Sequence, residues 1–187
     1  MKLLIVIDMV KGFVEEGALA SPSIKRIIPE NVRLIEKFLK EGDQVIFIRD
    51  THNKDAREFN IYAPHCIENT IETELVDELK IYEDRAKVYK KNSTNFMFAP
   101  NFIEDLNKYE DLSEIVLTGC LSEVCVKNGG ISLVNYLDQI NSNIKVYVDK
   151  SGIDTYDAPN HNRDEVTNKA IKEMEANGII CVERYGE

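Results

Sequence analysis

A cysteine at the start of a predicted helix is the residue of this sequence best suited to covalent chemistry. Cys125 lies in the segment Thr118–Val126, where a strand is predicted to pass through Gly119 into a helix that begins near Ser122. Backbone N–H groups and the helix dipole at such a position lower the pKa of a thiol from about 8.5 and favour the thiolate. The same N–H groups can hold the oxyanion of a tetrahedral intermediate. A cysteine flanked by valines can also be a small buried hydrophobic residue. That second interpretation is the one we give to the other cysteines, Cys66, Cys120 and Cys181.

Charged residues at the ends of other predicted strands can act on such a thiol. Asp8 follows an apolar strand, where a carboxylate is costly unless it is paired, and an acid there can take the thiol proton and later protonate a leaving amine. Asp8 can equally cap the turn that follows. Lys90 or Lys91 can stabilise a thiolate and an oxyanion, although paired lysines also occur at solvated strand ends. The alternation of side chains along the strand does not decide between these two lysines.

A second cluster contains the residue types that bind divalent metals. Asp50 and His52 follow the second predicted strand, and Glu58 and His65 lie in the irregular loop beyond it. Two imidazoles and two carboxylates suit zinc, manganese or iron in a mixed nitrogen and oxygen site. The alternative is a hydrogen-bonded loop network without a metal. The remaining histidine, His161, lies outside this cluster in the sequence.

Short runs rich in valine and isoleucine predict the elements that position these residues. Their nearly continuous apolar character is typical of strands buried on both faces of a parallel sheet. Between these runs lie segments in which apolar residues recur at helical spacing. The pattern is clearest between Pro29 and Gly42 and again before Gly178. This alternation predicts a doubly wound α/β fold, in which ligands bind outside the carboxyl ends of the strands. The six predicted strands are Leu3–Ile7, Gln44–Arg49, Ala86–Tyr89, Glu114–Thr118, Lys145–Val148 and Ile179–Glu183.

The candidate residues follow the carboxyl ends of predicted strands one to four, so the fold is expected to gather them at one edge of the sheet. The segment Thr51–Asn69 is the longest irregular stretch, and long loops on rigid scaffolds often carry function.

Composition excludes several classes of function. The 187 residues include 43% hydrophobic and 30% charged residues, which predicts one globular domain, 1–187. The net charge of -10 and the absence of a basic run longer than Lys90–Lys91 argue against nucleic acid as a partner. The apolar start is too short for a signal peptide or a membrane span, and the four cysteines are too sparse for a disulfide framework. We therefore expect a soluble, cytoplasmic protein with reduced thiols and no membrane partner.

Three separated motifs together resemble the isochorismatase-like cysteine hydrolase family. They are Asp8, a lysine at the end of the third strand, and Gly119 followed by Cys125–Val126, and the resemblance extends from Ile5 to Val182. It implies a three-layer α/β/α fold with a mainly parallel six-stranded sheet, assembled as a homo-oligomer, either a dimer or a tetramer.

The resemblance also implies a role for each motif. Cys125 would be the nucleophile, Asp8 the general acid and base, and the lysine the group that stabilises charge. Lys91 is preferred to Lys90 because Lys91–Asn95 is similar to the stretch after the catalytic lysine of related hydrolases. The oxyanion hole would use the N–H groups of Leu121 and Cys125, with a non-proline cis peptide between Cys120 and Leu121.

The loop after the second strand is most similar to that of the nicotinamidases within this family. The similarity includes Pro64–Cys66 and implies that aromatic residues Phe13 and Tyr62 line the substrate ring. Nicotinamidases commonly have a tryptophan at the position of Tyr62. Their Gly-Thr pair is replaced in this sequence by Asn69–Thr70. The implied metal ligands are Asp50, His52 and His65, with Glu58 as a fourth, and zinc is the preferred ion ahead of manganese or iron.

The predicted function is that of a nicotinamidase-like cysteine amidohydrolase, an enzyme of NAD salvage. It would convert nicotinamide or a similar small amide to the acid and ammonia through a thioester. The alternative within the family is a hydrolase of another small carbamoyl compound or of a vinyl ether. A flavodoxin-like carrier is disfavoured, because the segment Asp8–Phe13 has no phosphate-binding Gly-x-Gly turn.

Overall fold

A six-stranded sheet forms the centre of the structure, a computed structural model that describes residues 1–187. The strand order is β3-β2-β1-β4-β5-β6, and all five neighbouring pairs are parallel. The predicted doubly wound α/β fold is confirmed, and the sheet is parallel throughout rather than mainly so. The strands are β1 Lys2–Ile7, β2 Gln44–Asp50, β3 Lys87–Lys91, β4 Glu114–Cys120, β5 Lys145–Asp154 and β6 Ile180–Val182.

Helices cover both faces of this sheet and complete the three layers. α2 has Pro29 in its first turn and ends at Gly42, which adopts the left-handed conformation that favours glycine, as its sequence predicts. None of the helices combines the length and the apolar composition that crossing a lipid bilayer requires. The helices are α1 Lys11–Val14, α2 Ile28–Glu41, α3 Asp77–Lys80, α4 Phe102–Leu106, α5 Lys127–Gln139 and α6 Arg163–Ala176.

Alternate residues of the central strands supply two separate cores. In β1, Leu3, Ile5 and Ile7 face a cluster of 24 buried residues that includes side chains of α4, α5 and α6. Leu4 and Val6 face the opposite cluster of 22 buried residues, which includes side chains of α1, α2 and α3. The period of two in a strand therefore explains why an unbroken apolar run is needed at the centre of the sheet.

The strand order reverses between β1 and β4, which is where an open α/β sheet leaves a crevice for a ligand. Gly119 lets these two strands approach each other there. It has a φ of +109°, and a Cβ atom at this position would lie 2.0 Å from the carbonyl oxygen of Ile7. A larger residue would separate the chain after β1 from the chain after β4.

The largest difference from the sequence prediction is in β5, which continues to Asp154 instead of ending at Val148. The polar residues that follow Val148 are accommodated because Asp149 is satisfied inside the fold. Its carboxylate accepts hydrogen bonds from Ser151 Oγ, Gly152 N and Tyr185 N. The strand register also shifts between Leu117 and Gly119, where β5 rejoins β4 after this irregular stretch.

Candidate active site

A buried lysine joins the ends of three strands to the cysteine that follows a fourth. Lys91 Nζ lies 2.8 Å from Asp8 Oδ2 and donates to Asp50 Oδ1 at 2.6 Å. It also lies 3.6 Å from Cys125 Sγ. The pairing of Asp50 with Lys91 in the β2–β3 register, and of Ile7 with Ile48 in β1–β2, brings these side chains together. The expectation that the candidates share one edge of the sheet is thus met for these four residues.

Burial distinguishes the two lysines, which the alternation of side chains along the strand left open and of which the resemblance favours Lys91. Lys91 is only 1% exposed, whereas Lys90 points to solvent from the other face of β3. Tyr89 is buried on the same face as Lys91, as the alternation of a strand requires. Lys91 is therefore the lysine that the fold brings to Cys125 and Asp8.

The two buried carboxyl groups beside Lys91 differ in acidity. Burial raises the pKa of Asp8 to about 6, and the nearby Lys91 ammonium only partly offsets this effect. Burial also acts to raise the pKa of Asp50, but the Lys91 ammonium acts against it, and the pKa is held below its ordinary value. Burial acts to lower the pKa of Lys91, and the two carboxylates more than compensate, so the ammonium stays charged. Asp8 is thus the carboxyl group that can exchange a proton near neutral pH.

The thiol itself does not have the lowered pKa that the sequence predicts. Burial raises the pKa of Cys125 well above its ordinary value, against the effect of Lys91, and the Asp8 carboxylate raises it further. The helix argument is wrong for the resting thiol because Cys125 is only 4% exposed and water cannot solvate a thiolate there. The proton therefore stays on sulfur until a neighbouring base takes it, and Asp8 is the base within reach.

The segment before Cys125 leaves a backbone donor free. Cys125 lies in a wide π-helical turn, Ser122–Val126, which precedes α5 and replaces the regular first helical turn that the sequence predicts. The peptide between Cys120 and Leu121 is cis, as the family resemblance implies. The Leu121 N–H donates no hydrogen bond within the protein, and Leu121 and Cys125 line the same cavity. This donor is available to an oxygen atom bound beside the sulfur.

The loop after β2 folds back on itself and brings the two predicted histidine ligands together. His52 N donates to the carbonyl oxygen of Cys66, and Glu68 N donates to the carbonyl oxygen of His52, both at 2.8 Å. The ring centroids of His52 and His65 lie 4.7 Å apart. Ligand atoms of Asp50, His52 and His65 all lie within 4.8 Å of one another, which is close enough for one ion. Glu58 Oε1 lies 3.9 Å from Nε2 of each histidine.

The hydrogen bonds of the two imidazoles fit a metal site. His65 Nδ1 donates to the carbonyl oxygen of Ala63 at 2.8 Å, so a neutral ring carries its lone pair on Nε2. His52 Nδ1 lies 2.8 Å from Asn92 Oδ1, which has the same consequence. Both Nε2 atoms then point at the carboxylate of Asp50, at 2.8 and 3.2 Å, where lone pairs would repel one another without a cation between them. The donor set suits a divalent transition metal, with Glu58 available as a further ligand.

A cavity of about 540 Å³ lies beside the thiol and this loop. Its wall includes both predicted aromatic residues, the buried Phe13 and the exposed Tyr62. The Phe13 ring centroid is 5.5 Å from that of His65. Phe59, which the sequence did not single out, packs its ring against His52 and His65, with ring centroids 5.3 and 5.6 Å apart.

The opposite wall contains residues that the sequence analysis missed. Glu123 Oε1 accepts hydrogen bonds from Thr155 Oγ1 and His161 Nε2, and the His161 ring stacks on Tyr156 with centroids 3.9 Å apart. His161 was set apart from the cluster because it lies far from the other two histidines in the sequence. Once β5 is known to reach Asp154, the rule that placed Asp8 and Cys125 also places His161 after the carboxyl end of a strand.

Comparison with known families identifies the chain. The model of the isochorismatase domain matches residues 2–184. The chain belongs to the isochorismatase family. Its fold, a parallel six-stranded sheet between helical layers, is the isochorismatase-like α/β fold.

Curated relatives of this isochorismatase-family chain include two Arabidopsis thaliana proteins whose names contain the word nicotinamidase. Nicotinamidase 1 of Arabidopsis thaliana is 30% identical over 137 residues, which cover 66% of this chain and 56% of the relative. The chain thus matches little more than half the length of that protein. A probable inactive nicotinamidase of the same plant is 29% identical over 66% of this chain and 68% of its own length.

Solved structures share the fold over almost the whole chain. Nicotinamidase from Bacillus subtilis matches with a TM-score of 0.81 at 24% identity, covering 97% of this chain and 99% of that one. N-carbamoylsarcosine amidase from Thermoplasma acidophilum matches with a TM-score of 0.81 at 22% identity, covering 100% and 97%. Pyrazinamidase of Pyrococcus horikoshii, solved in complex with zinc, matches with a TM-score of 0.75 at 24% identity, covering 97% and 98%.

Replacing Lys91 by methionine should destabilise the fold, because Asp8 and Asp50 would remain buried without their shared cation. We expect the free energy of unfolding to fall by about 3–5 kcal/mol, the usual cost of removing one partner from a buried ion pair. The measurement is urea unfolding of Lys91→Met beside Lys90→Met, an exposed control expected to change stability by less than about 0.5 kcal/mol. Equal stability of the two variants would contradict the role given to Lys91.

Proposed function

We propose that this isochorismatase-family chain is a cysteine amidohydrolase that converts nicotinamide or a similar small primary amide to the acid and ammonia. The observation that carries the proposal is the contact of Lys91 Nζ with Asp8, Asp50 and Cys125 beside a cavity lined by aromatic residues. A relative named as a nicotinamidase and the folds of solved nicotinamidase and pyrazinamidase structures support the choice of substrate class.

In this proposal, Asp8 and Cys125 exchange one proton during the reaction. Asp8 takes the proton of Cys125, and the sulfur attacks the carbonyl carbon of the amide. Asp8 then gives that proton to the nitrogen as the C–N bond breaks, which releases ammonia and leaves an acyl thioester on Cys125. Asp8 next removes a proton from water, the resulting oxygen nucleophile attacks the thioester, and the proton returns to the departing sulfur. Lys91 stays charged throughout and stabilises the thiolate.

The oxyanion formed in each attack would be held by backbone donors. The N–H of Leu121, which has no partner within the protein, and the N–H of Cys125 would form this site. Because these donors belong to the backbone, side-chain replacement at Leu121 leaves them in place.

A divalent metal would be held by Asp50, His52 and His65, with Glu58 as a further ligand. When bound, the ion supplies a Lewis acid at the cavity wall that can hold an electron-pair donor of the substrate. Zinc is our first choice because the neighbouring pyrazinamidase structure is a zinc complex, and manganese and iron also suit this donor set.

The charge of the cavity favours an amide without a carboxylate. Its lining includes the acidic side chains of Asp50, Glu58, Glu123 and Asp157 and no lysine or arginine. An anionic carbamoyl compound or a dicarboxylated vinyl ether would enter against this charge and find no lysine or arginine in the lining to pair with its carboxylates. Nicotinamide and pyrazinamide are neutral and aromatic, which suits the wall formed by Phe13 and Tyr62.

A single domain, a dimer or tetramer, and a cytoplasmic location stay predictions.

Replacing Cys125 by alanine should abolish amide hydrolysis, because no other group near Lys91 can form the thioester. We expect release of ammonia from nicotinamide to fall by about 10³-fold or more. Ammonia is measured over nicotinamide, pyrazinamide, small non-aromatic amides and N-carbamoyl amino acids. Cys181→Ala, in a half-buried thiol outside the cavity, is the matched control and should retain the wild-type rate.

The panel of substrates separates two errors. Cleavage of non-aromatic amides alone would show that the choice of substrate is wrong while the cysteine mechanism stands. An unchanged rate in Cys125→Ala would refute the mechanism itself.

The rate should also depend on the ionisation of Asp8. Since Asp8 must be a carboxylate to accept the thiol proton, kcat/KM should rise with pH and level off above the pKa of about 6 that burial gives to Asp8. Asp8→Asn should lower kcat/KM by about 10²–10⁴-fold and remove this rising limb. The measurement is a pH profile of kcat/KM for nicotinamide, and a flat profile between pH 5 and about 8 in the wild type would contradict the assignment.

A further inference from the structure

Asn92 is the residue whose contact with the proposed metal site has the most specific consequence. It directly follows Lys91, and the pairing of Asp50 with Lys91 carries the chain onward so that Asn92 lies beside His52. The His52 side chain is fully buried, and its two ring nitrogens face two different side chains. Nε2 lies 2.8 Å from Asp50 Oδ2, and Nδ1 lies 2.8 Å from Asn92 Oδ1.

The partner at Nδ1 decides which nitrogen of His52 can bind a metal. A neutral imidazole carries one proton, and an oxygen acceptor at Nδ1 favours the tautomer with the proton there, against the pull of the Asp50 carboxylate at Nε2. An ion bound at Nε2 requires that tautomer, because only then is the lone pair of Nε2 free. With no acceptor at Nδ1, the proton moves to Nε2, where it donates to the Asp50 carboxylate. His52 would then be blocked as a ligand, and one oxygen of Asp50 would be occupied as well.

The two histidines of the site differ in how this choice is fixed. His65 Nδ1 donates to the backbone carbonyl of Ala63, an acceptor that no substitution removes. His52 depends on a side chain, and Asn92 is the only side chain in contact with its Nδ1. The chemistry of one ligand is therefore set by a residue that itself touches neither the thiol nor the metal-facing nitrogen.

We propose that Asn92 is a positioning residue for the metal site, whose side-chain oxygen holds the proton of His52 on Nδ1 and keeps Nε2 available to a divalent ion. This inference rests on the metal site of the proposed function. It adds a residue that acts through His52, and it predicts that the amide can be replaced by another oxygen acceptor but not by an apolar group of similar size.

Metal affinity of the purified chain tests the proposal without any assay of activity. Metal-free wild type, Asn92→Leu and Asn92→Asp are titrated with Mn²⁺ alone, because manganese prefers nitrogen and oxygen ligands and Cys125 does not compete for it. We expect Asn92→Leu to bind Mn²⁺ about 10–100-fold more weakly and Asn92→Asp to stay within about 3-fold of the wild type or to bind more tightly. Asn143→Leu, an exposed asparagine before β5, is the control and should bind as the wild type does.

The tautomer of His52 provides a second measurement that a merely structural role would not change. Long-range ¹H–¹⁵N spectra of the three histidines in metal-free protein at alkaline pH distinguish a proton on Nδ1 from one on Nε2. We expect a larger fraction of Nδ1–H in the wild type and Asn92→Asp than in Asn92→Leu, with similar unfolding curves for all variants.

The outcomes separate this inference from the proposed function. A wild type that binds neither Mn²⁺ nor Zn²⁺ would refute the proposed metal site, and the spectra would still decide the role of Asn92. An Asn92→Leu variant with the wild-type metal affinity and the wild-type proportion of the two tautomers would overturn the inference while leaving the metal site intact.

Discussion

The ion cluster around Lys91 is the interaction on which the rest of the site depends. A fully buried ammonium is stable only beside compensating charge, and Lys91 finds it in Asp8 and Asp50 at 2.8 and 2.6 Å. These residues come from the ends of β3, β1 and β2, so the cluster holds three strands in a fixed relation. Cys125 joins the cluster from the chain after β4, which can approach β1 because residue 119 is glycine. The position of the thiol is thus set by the sheet, whereas a flexible loop would leave it free to move.

The same cluster divides two carboxyl groups between two kinds of chemistry. Asp50 is held as a carboxylate by the Lys91 ammonium and lies beside the imidazoles of His52 and His65, which suits a metal ligand. Asp8 has no such additional partners, and its raised pKa of about 6 suits a group that takes and returns a proton. The high pKa of the Cys125 thiol fits this division, because a sulfur that keeps its proton at rest needs a base beside it. Lys91 lies between the proposed proton-transfer pair and the proposed metal ligands and contacts both groups.

Much of this arrangement could be predicted from the sequence, because strand ends and residue types are local signals. Apolar runs predicted the six strands, and a parallel arrangement of those strands predicted that Asp8, Asp50 and Cys125 lie at one edge of the sheet. The alternation of side chains alone could not separate Lys90 from Lys91, because a two-residue polar strand end does not reveal which face is buried. The family resemblance favoured Lys91, and the burial pattern of β3 agrees with it. His161 was missed because it lies far from the other histidines in the sequence, after a strand whose polar residues conceal that it continues to Asp154. The pKa of Cys125 could not be predicted, since it depends on how completely side chains distant in sequence exclude water. Asn92 lies in the segment Lys91–Asn95, which resembles related hydrolases, but its contact with His52 depends on the register between β2 and β3.

The most direct test of the account is whether the acyl group of the substrate becomes attached to Cys125 during turnover. Wild-type protein is mixed with excess nicotinamide, quenched with acid at successive times, and measured as intact protein and as peptides by mass spectrometry. The account predicts a mass increase equal to one acyl group on the peptide that contains Cys125, appearing before the acid product accumulates and absent from Cys125→Ala. Steady formation of the acid with no adduct at any quench time, or with an adduct on another residue, would contradict it.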